Sequence, residues 1–221
     1  YFQPETRDEL KTAVDEWIAN KNDWTCFVLA DCTGHGIPGA FMTLISSTIL
    51  DRVSSIQNLD QPDKVLNKLD QFLEEALSVN KDKPKEYFGL DAGVCCFSRK
   101  YNMLRFSGAK LNLHEKNGDL LKEYRGDKKS IGYDLKDHPL DFKTHEIDLI
   151  SNSSYYFFTD GMTDQIGGPN KLMYGKKRIL KQIQKNSNVS SIVKEVTKDF
   201  TEYQNNQKRR DDIAFFGFSV A

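Results

Sequence analysis

The sequence predicts an α+β fold in which antiparallel sheets pack against helices. Apolar residues recur at helical spacing in several segments before about residue 80 and again at about 176–203, and with a period of two through much of the sequence between them. The short strands and the helices do not alternate one by one, as they do in a parallel α/β fold. We therefore expect sheets and helices to form separate layers.

The helices are predicted from apolar residues spaced three or four positions apart. They cover Thr6–Asn20, a segment starting near Pro38, a segment from Pro62 to about Val79, and segments at about 176–185 and 189–203. Proline suits a first helical turn because its missing N–H would have no partner there. The stripe after Pro38 is predicted to pack in the core, and contains Phe41, Leu44, Ile45, Thr48, Ile49, Val53 and Ile56.

The strands are predicted from alternating or wholly apolar runs. They lie at 24–30, 90–98, 103–108, 111–115, 120–125, 142–149, 155–159 and 213–220. Asn117-Gly118 is a strong hairpin signal, and Lys81–Glu86 and Gly167–Asn170 are predicted loops. Because the segments near both ends of the chain resemble strands of one core, residues 1–221 are predicted to form a single domain.

The composition excludes some classes of function. Lys and Arg number 31 against 32 Asp and Glu, a net charge of −1, whereas nonspecific nucleic-acid binding needs a basic excess. The sequence shows no apolar run of roughly 20 residues that would span a membrane, and no signal-peptide pattern. It begins at Tyr1 without an initiator Met, so we expect it to belong to a longer protein.

The four cysteines, Cys26, Cys32, Cys95 and Cys96, lie in apolar, strand-like segments. Neither a CxxC pair nor the Cys/His spacing of a zinc site accompanies them. We expect reduced, buried cysteines in a cytosolic protein.

Three acids lie next to apolar, strand-like segments: two follow such a segment and one precedes it. Asp31 ends the run 24–30, and three glycines separate it from the helix at Pro38. Asp160 ends a second hydrophobic strand, and Asp211 opens the last one. Acids at strand ends that lie far apart in sequence predict a shared site for hard divalent cations, which bind through oxygen.

The segments around these acids resemble the ordered signature motifs of PP2C-type, metal-dependent serine/threonine protein phosphatases. The likeness is to the bacterial SpoIIE/RsbU-like branch and to the output domains of SiaA-type sensor phosphatases, and it spans roughly residues 24–220. The segments that carry it are Asp31-Cys-Thr-Gly-His-Gly-Ile-Pro-Gly-Ala, Gly89-Leu-Asp91-Ala, Phe106-Ser-Gly-Ala-Lys110, Ser130-Ile-Gly-Tyr133, Thr159-Asp-Gly-Met-Thr-Asp-Gln165 and Asp211-Asp212-Ile.

The resemblance implies a four-layer α-β-β-α sandwich with a centre for two Mn²⁺ or Mg²⁺ ions at one edge. By motif, Asp31 would bridge the metals, the backbone carbonyl of Cys32 would add an oxygen, and Asp160 and Asp211 would each bind a metal or share one. Paired cations make water nucleophilic at neutral pH and neutralise charge on a phosphoryl group, so no covalent protein nucleophile is needed.

Further residues near these motifs are candidates either for metal binding or for a purely structural role. Asp164 either binds a third, weaker metal ion together with Asp91 or is a solvated or capping acid, and Asp91 is open in the same way. Asp212, beside the ligand Asp211, is interpreted either as an acid that supports the metal ligands without binding the metal or as a strand-start acid. His35 is interpreted as a structural residue that orients the glycine turn.

One acid of the family pattern is missing. The pattern places a Gly-Gly-Asp-x-Tyr segment on the strand before Asp31, and nothing of that kind precedes Asp31 here. Either Tyr1-Phe2 is the tail of that segment, or Tyr1-Phe2-Gln3 remains from a purification tag.

The resemblance implies hydrolysis of phosphoserine or phosphothreonine on a partner, expected to be a small STAS-domain protein of the anti-sigma-factor-antagonist kind. The domain itself is expected to lie in the cytoplasm and to contact neither membrane nor nucleic acid. The sensor expected upstream of it is either membrane-anchored or free of the membrane. Both a monomer and a homodimer are left open. The alternatives are a pseudophosphatase that only binds the phosphoprotein and, less favoured, a structural calcium-binding domain.

Overall fold

The computed structural model describes residues 23–34, 37–56, 60–77, 89–132 and 141–220. The predicted helix Thr6–Asn20, the predicted loop Lys81–Glu86 and His35 lie outside the described residues.

Two antiparallel four-stranded sheets form the middle of the fold. The first sheet has the order β1-β2-β3-β6, and its strands are β1 (Thr25–Cys32), β2 (Leu90–Ser98), β3 (Met103–Ala109) and β6 (His145–Asp148). The second has the order β10-β7-β4-β5, and its strands are β4 (Leu113–Asn117), β5 (Leu120–Tyr124), β7 (Ser154–Phe158) and β10 (Phe215–Ser219).

Helices cover the outer face of each sheet. Against the first sheet lie α1 (Ile37–Ile56) and α2 (Pro62–Leu77), and against the second lie α4 (Lys176–Lys185) and α5 (Val189–Gln204). A short helix, α3 (Asp160–Asp164), and a small hairpin of β8 (Ile166–Gly167) and β9 (Leu172–Met173) connect β7 to α4. The expectation of an α+β sandwich of two antiparallel sheets flanked by helices is confirmed.

Strand alternation explains how both faces of each sheet become buried. In β2, Val94 and Cys96 face the helices α1 and α2, whereas Cys95 and Phe97 face the second sheet. In β7 the two faces are likewise divided, between Tyr155 and Phe157 on the inner side and Tyr156 and Phe158 on the helical side. The central strands therefore read as continuous apolar runs, because no face of them meets water.

The helix α1 differs from its sequence prediction. Met42, Ile49 and Val53 are buried in the core, but Phe41 is 62% and Leu44 59% exposed. Thr48 of the same stripe is exposed too, so the expectation that the whole stripe is buried is wrong at these three positions. The helix packs mainly along α2, and one contact line cannot cover a stripe this wide.

The helix α2 follows its prediction, with Val65, Leu66, Leu69, Phe72 and Leu73 buried. A carboxyl group, that of Asp70, is buried with them at 5% exposure. It accepts a hydrogen bond from the backbone N–H of Gly132 at 2.8 Å. Burial raises the pKa of Asp70 to about 6, the Gly132 hydrogen bond partly opposes this, and the charge of Glu74 adds to it.

Asp70→Asn is expected to stabilise the protein by about 2 kcal/mol at pH 8, and not at pH 4. The folded-state pKa of Asp70 is raised, so its ionised form destabilises the fold above pH 6, and this cost disappears as the pH falls towards the unfolded pKa near 4. Urea unfolding of both proteins with chelator present measures the difference. A difference that does not change with pH would contradict this account.

Two cysteines form a disulfide, so the expectation that all four are reduced is wrong for this pair. Cys26 and Cys96 are direct register partners in β1 and β2, and they are bonded across a sequence separation of 70. The sequence pattern did not reveal the pairing because it does not show which residues of two strands lie opposite. Cys32 and Cys95 are free, and burial raises the pKa of the Cys95 thiol.

None of the described helices is long and apolar enough to cross a membrane.

Candidate metal centre

Asp31 is the second-last residue of β1. The strand ends at Cys32, two residues later than the sequence predicted. Thr33 fixes the end of this strand: its backbone N–H donates to the Gly89 carbonyl at 2.8 Å, and its hydroxyl bonds both the carbonyl and the N–H of Gly89. Asp91 therefore lies directly opposite Asp31 in the ladder. The two carboxylates therefore lie on neighbouring strands at the same edge of the sandwich, where β1 ends and β2 begins; this edge is called the rim below.

The turn from Asp31 into α1 depends on two glycines. Gly34 has φ 96°, the left-handed region, and a Cβ on Gly39 would overlap the Gly34 carbonyl oxygen. Gly36 and His35, which belong to the same turn, lie outside the described residues.

Asp160 is placed by Thr159, which is 3% exposed. The Thr159 N–H donates to the Ala214 carbonyl at 3.1 Å, and the Thr159 hydroxyl accepts from the Ala214 N–H at 3.0 Å. These bonds fasten the end of β7 to the segment that leads into β10. Asp160, the first residue of α3, is thereby held beside that segment.

Asp211 and Asp212 lie in this segment, before β10 begins at Phe215. A Cβ on Gly161 would overlap the Asp212 carbonyl oxygen and come within 3.1 Å of the Asp211 Cβ. The Asp211 carboxylate accepts a hydrogen bond from the Asp212 N–H at 2.9 Å. Gly161 therefore permits the close approach of α3 to both acids.

The carboxylates interact electrostatically. The pKa of Asp31 is raised to about 7, first by burial and then by the negative charges of four other acids, Asp160, Asp211, Asp91 and Asp212. The pKa of Asp160 is also raised, by partial burial of its carboxyl group, although the residue as a whole is exposed, and by the charges of Asp164, Asp211 and Asp91. The fold thus gathers five acids from four separate segments at one rim, and a sixth, Asp164, near Asp160.

A cation would relieve this repulsion, and the donor chemistry fits Mg²⁺ or Mn²⁺, because the acids offer oxygen ligands. Among the described residues, however, no three His, Cys, Asp or Glu side chains are already arranged as a ligand set. The structure therefore shows a concentration of negative charge at this rim.

A cleft of about 580 Å³ opens beside Asp31, between α1 and the ends of β7 and β10. Asp31, Asp212 and Thr159 line it, together with small and hydroxyl side chains of α1 such as Thr43 and Ser47. Asp160, Asp211 and Asp91 do not line it. The cleft therefore gives access to Asp31 and Asp212 but not to these three acids.

Asp91 and Asp164 differ in their surroundings. One Asp91 carboxylate oxygen accepts from the Ser130 hydroxyl at 2.6 Å and lies 3.7 Å from the Lys110 ammonium. Asp164 is exposed and accepts a hydrogen bond from the Thr163 hydroxyl at 2.9 Å.

Sequence reasoning assigned no role to Thr33, Thr159, Ser130 or Lys110. The motifs that carry the resemblance contain all four, but single residues of a motif do not reveal which partner each one bonds.

Comparison with solved structures supports the fold. The SiaA PP2C domain of Pseudomonas aeruginosa matches with a TM-score of 0.80 and 27% identity, over 91% of this chain and 78% of that one. The PP2C phosphatase domain and regulatory fragment of SpoIIE from Bacillus subtilis gives 0.63 and 14%, over 88% of this chain and 54% of that one.

A third structure is the catalytic domain of the serine/threonine protein phosphatase PstP in complex with 2 manganese ions, with a TM-score of 0.61 and 11% identity, over 89% of this chain and 90% of that one. No significant match was found among curated protein sequences. The sequence model of the Stage II sporulation protein E (SpoIIE) family, by contrast, matches residues 21–221. With nearly the whole chain matched and the sandwich present, this chain belongs to the SpoIIE family and has the PP2C-type phosphatase fold.

Proposed function

We propose that this chain is a metal-dependent serine/threonine protein phosphatase. The observation that supports this best is geometric: the β1–β2 ladder, the Thr159–Ala214 hydrogen bonds and the Gly161 contact bring Asp31, Asp160 and Asp211 from three distant segments to one rim. The membership of the SpoIIE family and the manganese complex of PstP, a protein with the same fold, are consistent with this proposal.

In this proposal Asp31, Asp160, Asp211 and the backbone carbonyl of Cys32 would hold the metal ions. Bound Mn²⁺ or Mg²⁺ supplies the neutralisation of phosphoryl charge and the lowered water pKa that ester hydrolysis requires. The chain holds the acids in place: Thr33 fixes the end of β1, and Thr159 fixes Asp160 against the segment before β10. The rim is open to solvent, since Asp160 and Asp211 are exposed, so a phosphorylated side chain on a protein surface can reach it.

For the substrate we propose phosphoserine or phosphothreonine on a small STAS-domain protein, by resemblance to the SpoIIE/RsbU-like branch. For the setting we propose a single domain, residues 1–221, that acts in the cytoplasm as the C-terminal part of a longer sensor protein.

The test is hydrolysis of p-nitrophenyl phosphate and of a phosphothreonine peptide by the chain, with Mn²⁺ and with chelator. We expect turnover that requires Mn²⁺ and that Asp160→Asn abolishes. Lys198→Met, an exposed substitution on α5, is the control and is expected to leave turnover unchanged.

The second candidate is a pseudophosphatase, which is favoured by the finding that no three ligands are already in place among the described residues. It predicts that neither substrate is turned over with any divalent ion, while the chain still retains a phosphorylated STAS-domain protein on a column. Binding of that protein without turnover would therefore replace the enzyme proposal.

A further inference from the structure

Asp31, Asp91 and Lys110 lie on three adjacent segments of the first sheet. Asp31 is paired with Asp91 across β1 and β2, and Ala92, the next residue of β2, forms a parallel bridge with Lys110. This bridge places the lysine next to the acid pair, on the side of Asp91 away from Asp31. The lysine charge matters there because like charges directly opposite each other in a ladder are destabilising.

The backbone of Lys110 is held by the fold. Its φ of 58° lies in the left-handed region, at the point where β3 ends. Its N–H donates to the Asp127 carbonyl at 2.7 Å, and the Asp127 N–H donates to the Gly108 carbonyl at 2.7 Å. The position from which the lysine side chain extends is thus set by the backbone and does not depend on a bound ligand.

The Lys110 side chain reaches Asp91. Its ammonium lies 3.7 Å from the Asp91 oxygen that also accepts the Ser130 hydroxyl at 2.6 Å. The Asp91 side chain is 22% exposed and that of Lys110 50% exposed, so the pair lies at the border of the rim with solvent. The same Asp91 oxygen thus receives a hydroxyl donor and faces a positive charge.

The other acids of the rim differ in this respect. Within the described part of the chain, Asp31, Asp160 and Asp211 form no ion pair with a Lys, Arg or His side chain. Asp91 contributes negative charge at both Asp31 and Asp160. A cation at Asp91 therefore lowers the negative potential that an incoming metal ion meets at the other acids.

We propose that Lys110 is the resident cation of the rim: its ammonium neutralises Asp91, so that divalent ions bind to Asp31, Asp160 and Asp211 and not to Asp91. This inference rests on the proposed metal-dependent function. It assigns Lys110 and Ser130 as positioning residues that act through Asp91. It also selects between the two interpretations of Asp91, as a ligand of a third ion or as an acid without metal, in favour of the second.

The test is direct measurement of Mn²⁺ binding to the chain, from the electron paramagnetic resonance signal of free Mn²⁺. Lys110→Met keeps the length of the side chain and removes its charge. We expect it to raise the affinity for Mn²⁺ by about tenfold, by the Coulomb interaction of one charge with nearby divalent ions. We also expect one additional Mn²⁺ per chain, because Asp91 becomes available. Lys110→Gln is a second neutral variant and is expected to behave in the same way.

Three controls separate a local from a general effect. Lys110→Arg keeps the charge and is expected to stay within about twofold of the wild type, and so is Lys198→Met, which removes an exposed positive charge on α5. The double variant Asp91→Asn/Lys110→Met removes both members of the pair, and its Mn²⁺ affinity is expected to return to the wild-type range.

The outcomes are distinct. Unchanged Mn²⁺ affinity and stoichiometry in both Lys110→Met and Lys110→Gln would overturn the role of Lys110 and leave the proposed function in place. An equal rise in Lys198→Met would overturn it too, since the effect would then follow net charge. If even the wild type bound no Mn²⁺, the metal-dependent function and this inference would fail together.

Discussion

Asp31→Asn is expected to lower Mn²⁺-dependent phosphatase activity by at least about a hundredfold, because it removes a carboxylate proposed to hold the metal ions. Asn keeps the shape of the side chain and one oxygen but loses the charge. The rate of p-nitrophenyl phosphate hydrolysis at saturating Mn²⁺ measures the effect. Retained activity would show that Asp31 is not a ligand.

The same substitution is expected to stabilise the metal-free protein, which separates loss of the site from loss of the fold. Burial and four neighbouring acids raise the pKa of Asp31 to about 7, so at pH 8 its carboxylate is ionised at a cost to the folded state. After allowance for solvent screening we expect Asp31→Asn to gain about 2 kcal/mol in unfolding free energy at pH 8.

The sign of this effect depends on pH and on metal. The gain should disappear as the pH falls from 7 towards the unfolded pKa near 4, where both states of the wild type carry the proton. Added Mn²⁺ should stabilise the wild type and leave the variant unchanged, because only a protein that binds the ion gains from it. Urea unfolding with chelator, then with Mn²⁺, checks both. A variant less stable than the wild type at pH 8 with chelator would contradict the account.

Gly161→Ala is expected to have the second-largest effect, with activity lowered at least about tenfold and stability by about 1–3 kcal/mol. The added Cβ would overlap the Asp212 carbonyl oxygen and crowd the Asp211 Cβ, so the segment before β10 must move away from Asp160. Backbone atoms cannot yield as the end of a flexible side chain does. Activity, Mn²⁺ affinity and urea unfolding measure the result.

Gly118→Ala is the matched control, because a Cβ at Gly118 meets open space in the β4–β5 turn. Its φ of 55° makes the substitution cost about 1 kcal/mol in stability, but its activity should equal that of the wild type. If Gly161→Ala kept full activity and Mn²⁺ affinity, the contact between α3 and Asp212 would not be what holds the acids together.

Much of the fold followed from local pattern. The mainly apolar segment from Leu90 to Ser98 predicted β2 with its observed bounds, and Asn117-Gly118 predicted the hairpin between β4 and β5. These predictions succeed because one strand or one turn is specified by its own residues. The helix α3 and the hairpin of β8 and β9 were missed, since elements of two to five residues carry too little pattern to be recognised.

Predictions that depended on contacts between different helices and strands were less accurate. The stripe of α1 was expected to be buried, yet Phe41 and Leu44 are exposed, because burial depends on what another element covers. The disulfide between Cys26 and Cys96 was missed for a similar reason: the alternation of a strand shows its two faces but not its register with a neighbour.

The sequence by itself determined the layered α+β class, the three candidate acids and the family to which their motifs belong, because periodicity and motif order are local properties of the chain. The expectation that Asp211 opens the last strand was wrong, since β10 begins at Phe215. Only the tertiary structure decided that Asp31, Asp160 and Asp211 meet at one rim and that Lys110 and Ser130 reach Asp91. The physical reason is that charge interactions depend on distance in space, and these distances are set by strand register and by backbone contacts such as that of Gly161 with Asp212.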